Sequence, residues 1–137
     1  MADLVSYNGK NNGANGEANR DGTDDNRSWN SCVEGPTDDP AINELRQRRR
    51  RSYVVTLLVS QGVPMLRTAT NSATPSTATT PTVQDNELPW LDWEHADDQL
   101  LAFCADIVAF RRRHPAFRRR RFFEERPIFG TELSDIG

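Results

Sequence analysis

Apolar residues recur at helical spacing in two stretches of this chain, and almost nowhere else. In the first, Ile42, Leu45, Tyr53, Leu57 and Leu58 mark one face of a helix over Ala41–Ser60. Val54, Val55 and Val59 widen that face, so the second half is expected to be the more buried, with Arg46 and Arg48 to Arg51 on the outer turns. Asp38-Asp39-Pro40 supplies the start: an Asp accepts from free first-turn N–H groups, and Pro loses nothing at the first helical position. Gly62 is placed to end the helix. In the second stretch, Leu100, Leu101, Cys104, Ile107 and Val108 predict a helix over Asp97–Arg113, flanked by Phe103 and Phe110 and stopped by His114-Pro115. Asp97 and Asp98 suit its positive N-terminal end, and Arg111 to Arg113 its negative C-terminal end.

Between the helices the pattern is different. Val63-Pro64-Met65-Leu66 is a short apolar run that reads as one buried strand, and helix, glycine, strand is an α/β connection. Residues 67–83 are dominated by Thr, Ala, Ser and Pro without periodicity, a low-complexity composition. Complexity returns at Gln84–Glu94, with Trp90 and Trp93 close together. Residues 2–8 suit a strand end or a short helix, and alternation after Arg121 suggests a strand opening a further β unit.

The longest interruption is Asn15 to Pro40, polar and rich in Gly, Asn and Asp. Loops of that length inside a domain are usually functional or disordered. The turn dipeptides Asn15-Gly16, Asp21-Gly22 and Gly35-Pro36, together with a buried-type Trp29, favour a folded excursion at the mouth of a site.

Composition narrows the reading. A chain of 137 residues suits one small domain, yet 36% hydrophobic and 27% charged residues supply a thin core. That balance fits a domain with disordered parts, or a piece of something larger. The net charge of −3 gives no global attraction to nucleic acid, which weighs against reading Arg118–Arg121 as a phosphate-binding cluster. Cys32 and Cys104 form no disulfide framework and lack metal-ligand spacing with His95 and His114, so neither a metal nor a cofactor is expected. No apolar run approaches the roughly 20 residues of a membrane span, and no signal-like segment follows Met1. The expectation is a cytoplasmic protein with no membrane partner.

Four blocks carry a family resemblance: DLVSYN with NGEANRDGTDDNRSWN and VEGPTDDP; TLLVSQGVPML; QDNELPWLDW; and LLAF followed by FRRRHPAFRRRRFF. Together, over about residues 3–66 and 84–136, they resemble bacterial glycogen debranching enzymes of the isoamylase type, GlgX- or TreX-like members of the α-amylase superfamily. The resemblance implies a fragment of a (β/α)8 TIM barrel: the seventh helix at Ala41–Ser60, the eighth strand at Val63–Leu66 and the eighth helix at Asp97–Arg113. Residues 1–116 would be the C-terminal portion of the barrel, and residues 117–137 the start of a C-terminal β domain. A whole barrel takes about 250 residues, so the fold would be incomplete as it stands.

The resemblance also implies cleavage of α-1,6 branch linkages in glycogen or its limit dextrins. Such hydrolysis needs two carboxyl groups flanking the scissile bond. In the family these come from upstream strands, and a third Asp lies in a His-Asp pair shortly before the DLVSY block. Only Met1-Ala2 precedes Asp3 here, so no catalytic residue is assigned and this chain is expected to be inactive by itself. The candidates for a cleft-lining role are Asn15, Glu17, Asn19, Arg20, Asp21, Trp29, Asn30, Asp85 and Asn86, with Trp29 read first as a loop-packing residue. Glu34 is a further conspicuous carboxylate. Two alternatives stand beside this reading: another α-glucan-acting barrel enzyme, or a non-catalytic remnant binding glycogen or an acidic partner.

Residues 67–83 depart from the family, which has a Gly-, Asn- and acid-rich motif at that place and nearly that length. Codons can be chosen for Ala69–Val83 that, read from their third base, encode DELGHTQHGNNTYC. A compensated frameshift explains both the preserved length and the altered composition.

Overall fold

The principal helix begins where the capping residues require. In the computed structural model, Asp39 is the N-cap of α2, Pro40–Val59, and its carboxylate accepts from the N–H groups of Ala41 and Ile42. A cap of this kind is worth about 1 kcal/mol. Pro40 occupies the first turn, where no N–H is needed. The structure describes residues 1–16, 18–20, 22–66, 93–94, 96–119, 127, 129–130 and 134. The expectations for residues 67–83, for Gln84 to Asn86 and Trp90, and for 121–126 lie outside these.

Two other helices accompany α2. Ala2–Ser6 forms a single short helix, α1, one of the two forms expected for this stretch. Asp98–Arg113 forms α3, with the Asp97 side chain capping it through the Leu100 N–H and with Arg111 to Arg113 in its last turn. His114 ends it, and Pro115–Arg118 continues as one 3-10 turn. Phe110, His114 and Phe117 cluster there with tilted rings, the Phe110 and His114 ring centroids 4.4 Å apart and those of Phe110 and Phe117 5.6 Å apart.

The core lies between α2 and α3. Val54, Leu58 and Leu100 are fully buried, and Met1, Phe103, Cys104 and Ile107 pack against them. Leu101 and Val108, expected on the buried stripe of α3, are instead exposed. One apolar neighbour covers only the central line of a helix face, and a second would be needed to cover its shoulders.

The buried line of α2 is Arg46, Arg50, Val54 and Leu58, four residues at successive i+4 positions. The sequence reading placed Arg46 and Arg50 on outer turns, and the structure corrects it. Burial of an arginine is tolerable when its charge and N–H groups meet acceptors. Arg50 donates to Asp97 Oδ2 at 2.9 Å, with the two side chains only 3% and 7% exposed. Gln47 donates to the same carboxylate oxygen at 2.8 Å. Burial raises the Asp97 pKa, but the Leu100 N–H, the Gln47 amide and Arg50 outweigh it, and the carboxyl lies below its ordinary range. Burial also lowers the pKa of Arg50, opposed by Asp97. The polar first half of α2 is therefore as engaged as its apolar second half.

A second arginine joins the opposite ends of the pair. Arg111, buried on α3, donates to the carbonyls of Leu58, Ser60 and Gly62, groups that the end of α2 leaves without helical partners. Gly62 has φ +102°, which lets the chain turn there while its carbonyl faces Arg111.

The expected strand at Val63–Leu66 is not formed. Val63 and Met65 are 90% and 84% exposed, and the described residues form no strand, although Pro127 and Ser134 make an isolated antiparallel bridge. A parallel strand is stable when flanked by neighbours and covered on both faces, and the described residues supply neither. Within them the fold is helical rather than α/β.

Candidate functional site

A helix of five residues cannot satisfy its own terminal carbonyls, and α1 solves this with a distant part of the chain. The Trp29 N–H donates to the Leu4 carbonyl at 3.1 Å, the Ser31 hydroxyl to Val5 at 2.8 Å, and the Gly35 N–H to Ser6 at 2.7 Å. The returning segment thus caps α1, and the chain between them is drawn into a closed loop. Loops whose ends meet in this way are compact and frequently functional.

The junction is stitched further by side chains. Asn8 Oδ1 accepts from the Asn30 N–H at 2.8 Å. Glu34 accepts from the N–H of Asn8 at 3.0 Å on both carboxylate oxygens, from the Gly9 N–H at 3.2 Å, and from Asn30 Nδ2 at 2.9 Å. Burial pushes the Glu34 pKa up, but the Asn8 N–H, the Asn30 amide and the Gly9 N–H prevail and hold it below the usual carboxylate range. Gly35 has φ +77°, a conformation that would strain any side chain, while a Cβ there would meet the Tyr7 ring at 3.6 Å, an ordinary contact.

From below, α2 grips the same junction. Arg46 donates to the carbonyls of Asn30 at 2.9 Å and Val33 at 2.6 Å. Arg49 donates to the Trp29 carbonyl at 3.0 Å and the Ser31 hydroxyl at 3.2 Å, and its guanidinium lies 4.3 Å from the centroid of the Trp29 ring. Ser31 and Cys32 adopt positive φ, 57° and 78°, a conformation unfavourable for non-glycine residues that these contacts and the Asn30 Oδ1 to Cys32 N–H bond hold in place. Beside the junction, a cavity of about 310 Å³ opens between α1, Pro36–Asp38 and α2, with Ser6, Asn43, Arg46 and Gln47 on its wall.

The described residues hold no group of His, Cys, Asp and Glu suited to a metal ion. Cys32 and Cys104 are free thiols, and burial raises the Cys104 pKa. The Glu34 carboxylate at the junction is engaged in four hydrogen bonds and stands as an acceptor rather than as a proton donor.

No family model matches the chain. Curated relatives do. Over 99% of its length it is 51% identical to the protein described as "Glycogen operon protein GlgX homolog" of Mycobacterium tuberculosis and to the protein so described from Mycobacterium bovis. It is 42% identical, over 91% of its length, to the "Glycogen debranching enzyme" of Pectobacterium atrosepticum. In each case it spans 19% of the relative, about a fifth. The chain is a GlgX-like segment.

In this GlgX-like segment the expected site residues separate into three groups. Trp29 and Asn30 lie at the junction itself. Trp29 is 41% exposed, so the buried indole expected from the sequence is in fact half open, one face taken by Arg49. Asn15, Asn19 and Arg20 lie out on the loop: Asn15 closes a 3-10 turn over Gly13–Asn15, Asn19 is exposed with its Oδ1 accepting from the Asn12 N–H at 2.8 Å, and Arg20 is exposed. Glu17, Asp21, Asp85 and Asn86 lie outside the described residues. Sequence reasoning missed the clasp of Asn8, Ser31, Arg46 and Arg49, and left Glu34 without a role. The signal available for the arginines was their i+4 spacing ahead of Val54 and Leu58.

Proposed function

We propose that these residues form one wall of the substrate cleft of a debranching glycoside hydrolase acting on α-1,6 linkages in glycogen or limit dextrin. The observation that carries the reading is the closed loop after α1, exposed and polar at its tip and fixed at its base, in a segment 51% identical to a GlgX homolog. A branched glucan is neutral and rich in hydroxyls, and amide and guanidinium groups such as those of Asn19 and Arg20 suit it as hydrogen-bonding partners. The half-open indole of Trp29 offers an apolar face to a sugar ring.

In this reading the segment comes from the end of a (β/α)8 barrel, with α2 as the seventh helix, α3 as the eighth, residues from 117 opening a β domain, and the catalytic carboxylates outside these 137 residues. Barrel enzymes build their sites from βα loops, which is where the loop after α1 would stand. A compensated frameshift within residues 67–83 belongs to the same reading, and codons across that stretch incompatible with the shifted frame would remove it. The place of work would be the cytoplasm.

Affinity electrophoresis through glycogen tests the binding role without requiring catalysis. The longest native polypeptide carrying this sequence is expected to be retarded, and replacing residues 10–28 with a short Gly-Ser turn is expected to abolish most of that retardation. Unchanged retardation after the replacement would refute the loop as a glucan contact.

A further inference from the structure

Glu34, conspicuous in the sequence but without a role there, makes four hydrogen bonds at the loop base. Its carboxylate reaches back across 25 and 26 residues to the N–H groups of Gly9 and Asn8, and across one helical turn's worth of chain to the Asn30 amide. Asn8 and Asn30 are in turn bonded to each other, so three side chains close one ring of contacts. The Asn8 and Gly9 N–H groups lie just past the end of α1, where no helical or strand partner serves them. Charge-assisted bonds of this kind are stronger than neutral ones, and they tie the departing strand of the loop to the returning one.

We propose that Glu34 is a positioning residue for glucan binding: by latching Asn8 and Gly9 to Asn30 it fixes the departure and return of the loop of residues 10–28, and so holds that loop in the shape that meets the sugar chain. This rests on the cleft-wall reading above. The latch acts through the loop and does not touch substrate.

The latch is also sensitive to acid in a defined direction. A carboxylate whose folded pKa is depressed contributes order above its ordinary value, about 4.3, and loses it as pH falls through the lower folded value. The charged and titratable groups that face it are Arg46 of α2 and Tyr7 at the end of α1. Arg46 stays charged across this range, and burial raises the Tyr7 phenol well away from it, so neither supplies an acid transition there.

The experiment compares wild type, Glu34→Ala and Glu34→Gln in the longest native polypeptide carrying the sequence. Hydrogen exchange at Asn8 and Gly9 and protease cleavage within residues 10–28 report the latch; retardation by glycogen reports binding. Glu34→Ala is expected to speed exchange and weaken glycogen binding each about tenfold. Glu34→Gln, which keeps the shape but not the charge, should fall between, and should lose the share of acid sensitivity at Asn8 and Gly9 that comes from protonating Glu34. Unchanged exchange in Glu34→Ala would overturn the latch. Faster exchange with unchanged glycogen binding would overturn the positioning role and leave the latch a purely structural feature, whereas the cleft-wall reading would fall only if the wild type itself were not retarded by glycogen or the loop replacement left retardation unchanged.

Discussion

Replacing Asp97 with alanine is expected to destabilise the α2–α3 pair by about 3–5 kcal/mol, enough to unfold a domain with so small a core. Asp97 holds three roles at once: it caps α3 through the Leu100 N–H, pairs with Arg50 at 2.9 Å, and accepts from Gln47 at 2.8 Å. Removing it strands the Arg50 charge among the few buried residues that join the helices. Asp97→Asn keeps a capping oxygen but loses the charge, and should fall between wild type and alanine. The pH dependence follows from the direction of the shift. Because the folded Asp97 pKa is lowered, its stabilisation is complete above the ordinary Asp value of about 3.9 and is lost as pH falls through the folded value. Helical circular dichroism during thermal melting, at neutral pH and below pH 4, measures both effects; equal melting of wild type and Asp97→Ala would contradict them.

The second large effect is at the other end of the same pair. Arg111→Ala removes donors from three carbonyls, those of Leu58, Ser60 and Gly62, in a position where Arg111 is buried. Hydrogen bonds to a charged group contribute about 1.5–3 kcal/mol each, and they do not add simply, so a total loss of roughly 3 kcal/mol is expected. Arg111→Lys should recover little, because a single ammonium lacks the planar fork that spans three acceptors. The same melts measure it, and full recovery by lysine would show that charge alone, without the fork, holds the end of α2.

Both predictions rest on arginines, and arginines mark where the sequence was hardest to read. The helices themselves were legible: Asp39-Pro40 and Asp97 gave their starts and His114-Pro115 the stop of α3, because capping is local chemistry. The faces were less so. A buried Arg46 or Arg50 looks solvent-facing until its acceptors are known, and those acceptors, the Asn30 carbonyl and the Asp97 carboxylate, lie 16 and 47 residues away. Val63–Leu66 failed for the opposite reason. Its apolar run states a preference for burial, but a strand needs neighbours, and none stands beside it among the described residues. The candidate site divides the same way. Trp29 and Asn30 were recognisable as loop residues worth noting, whereas the clasp of Asn8, Glu34, Arg46 and Arg49 that fixes them is made of long-range contacts that no local pattern reveals.

The exposed apolar residues Val63, Met65, Leu101, Val108 and Phe129 fit a segment whose relatives are about five times its length. On the proposed function these residues supply a binding wall and not the reacting carboxylates. Incubating the purified 137-residue polypeptide with glycogen and assaying linear α-1,4 chains should therefore give no release above a no-protein control. Measurable release of linear chains would place reacting carboxylates within these residues and refute the proposal.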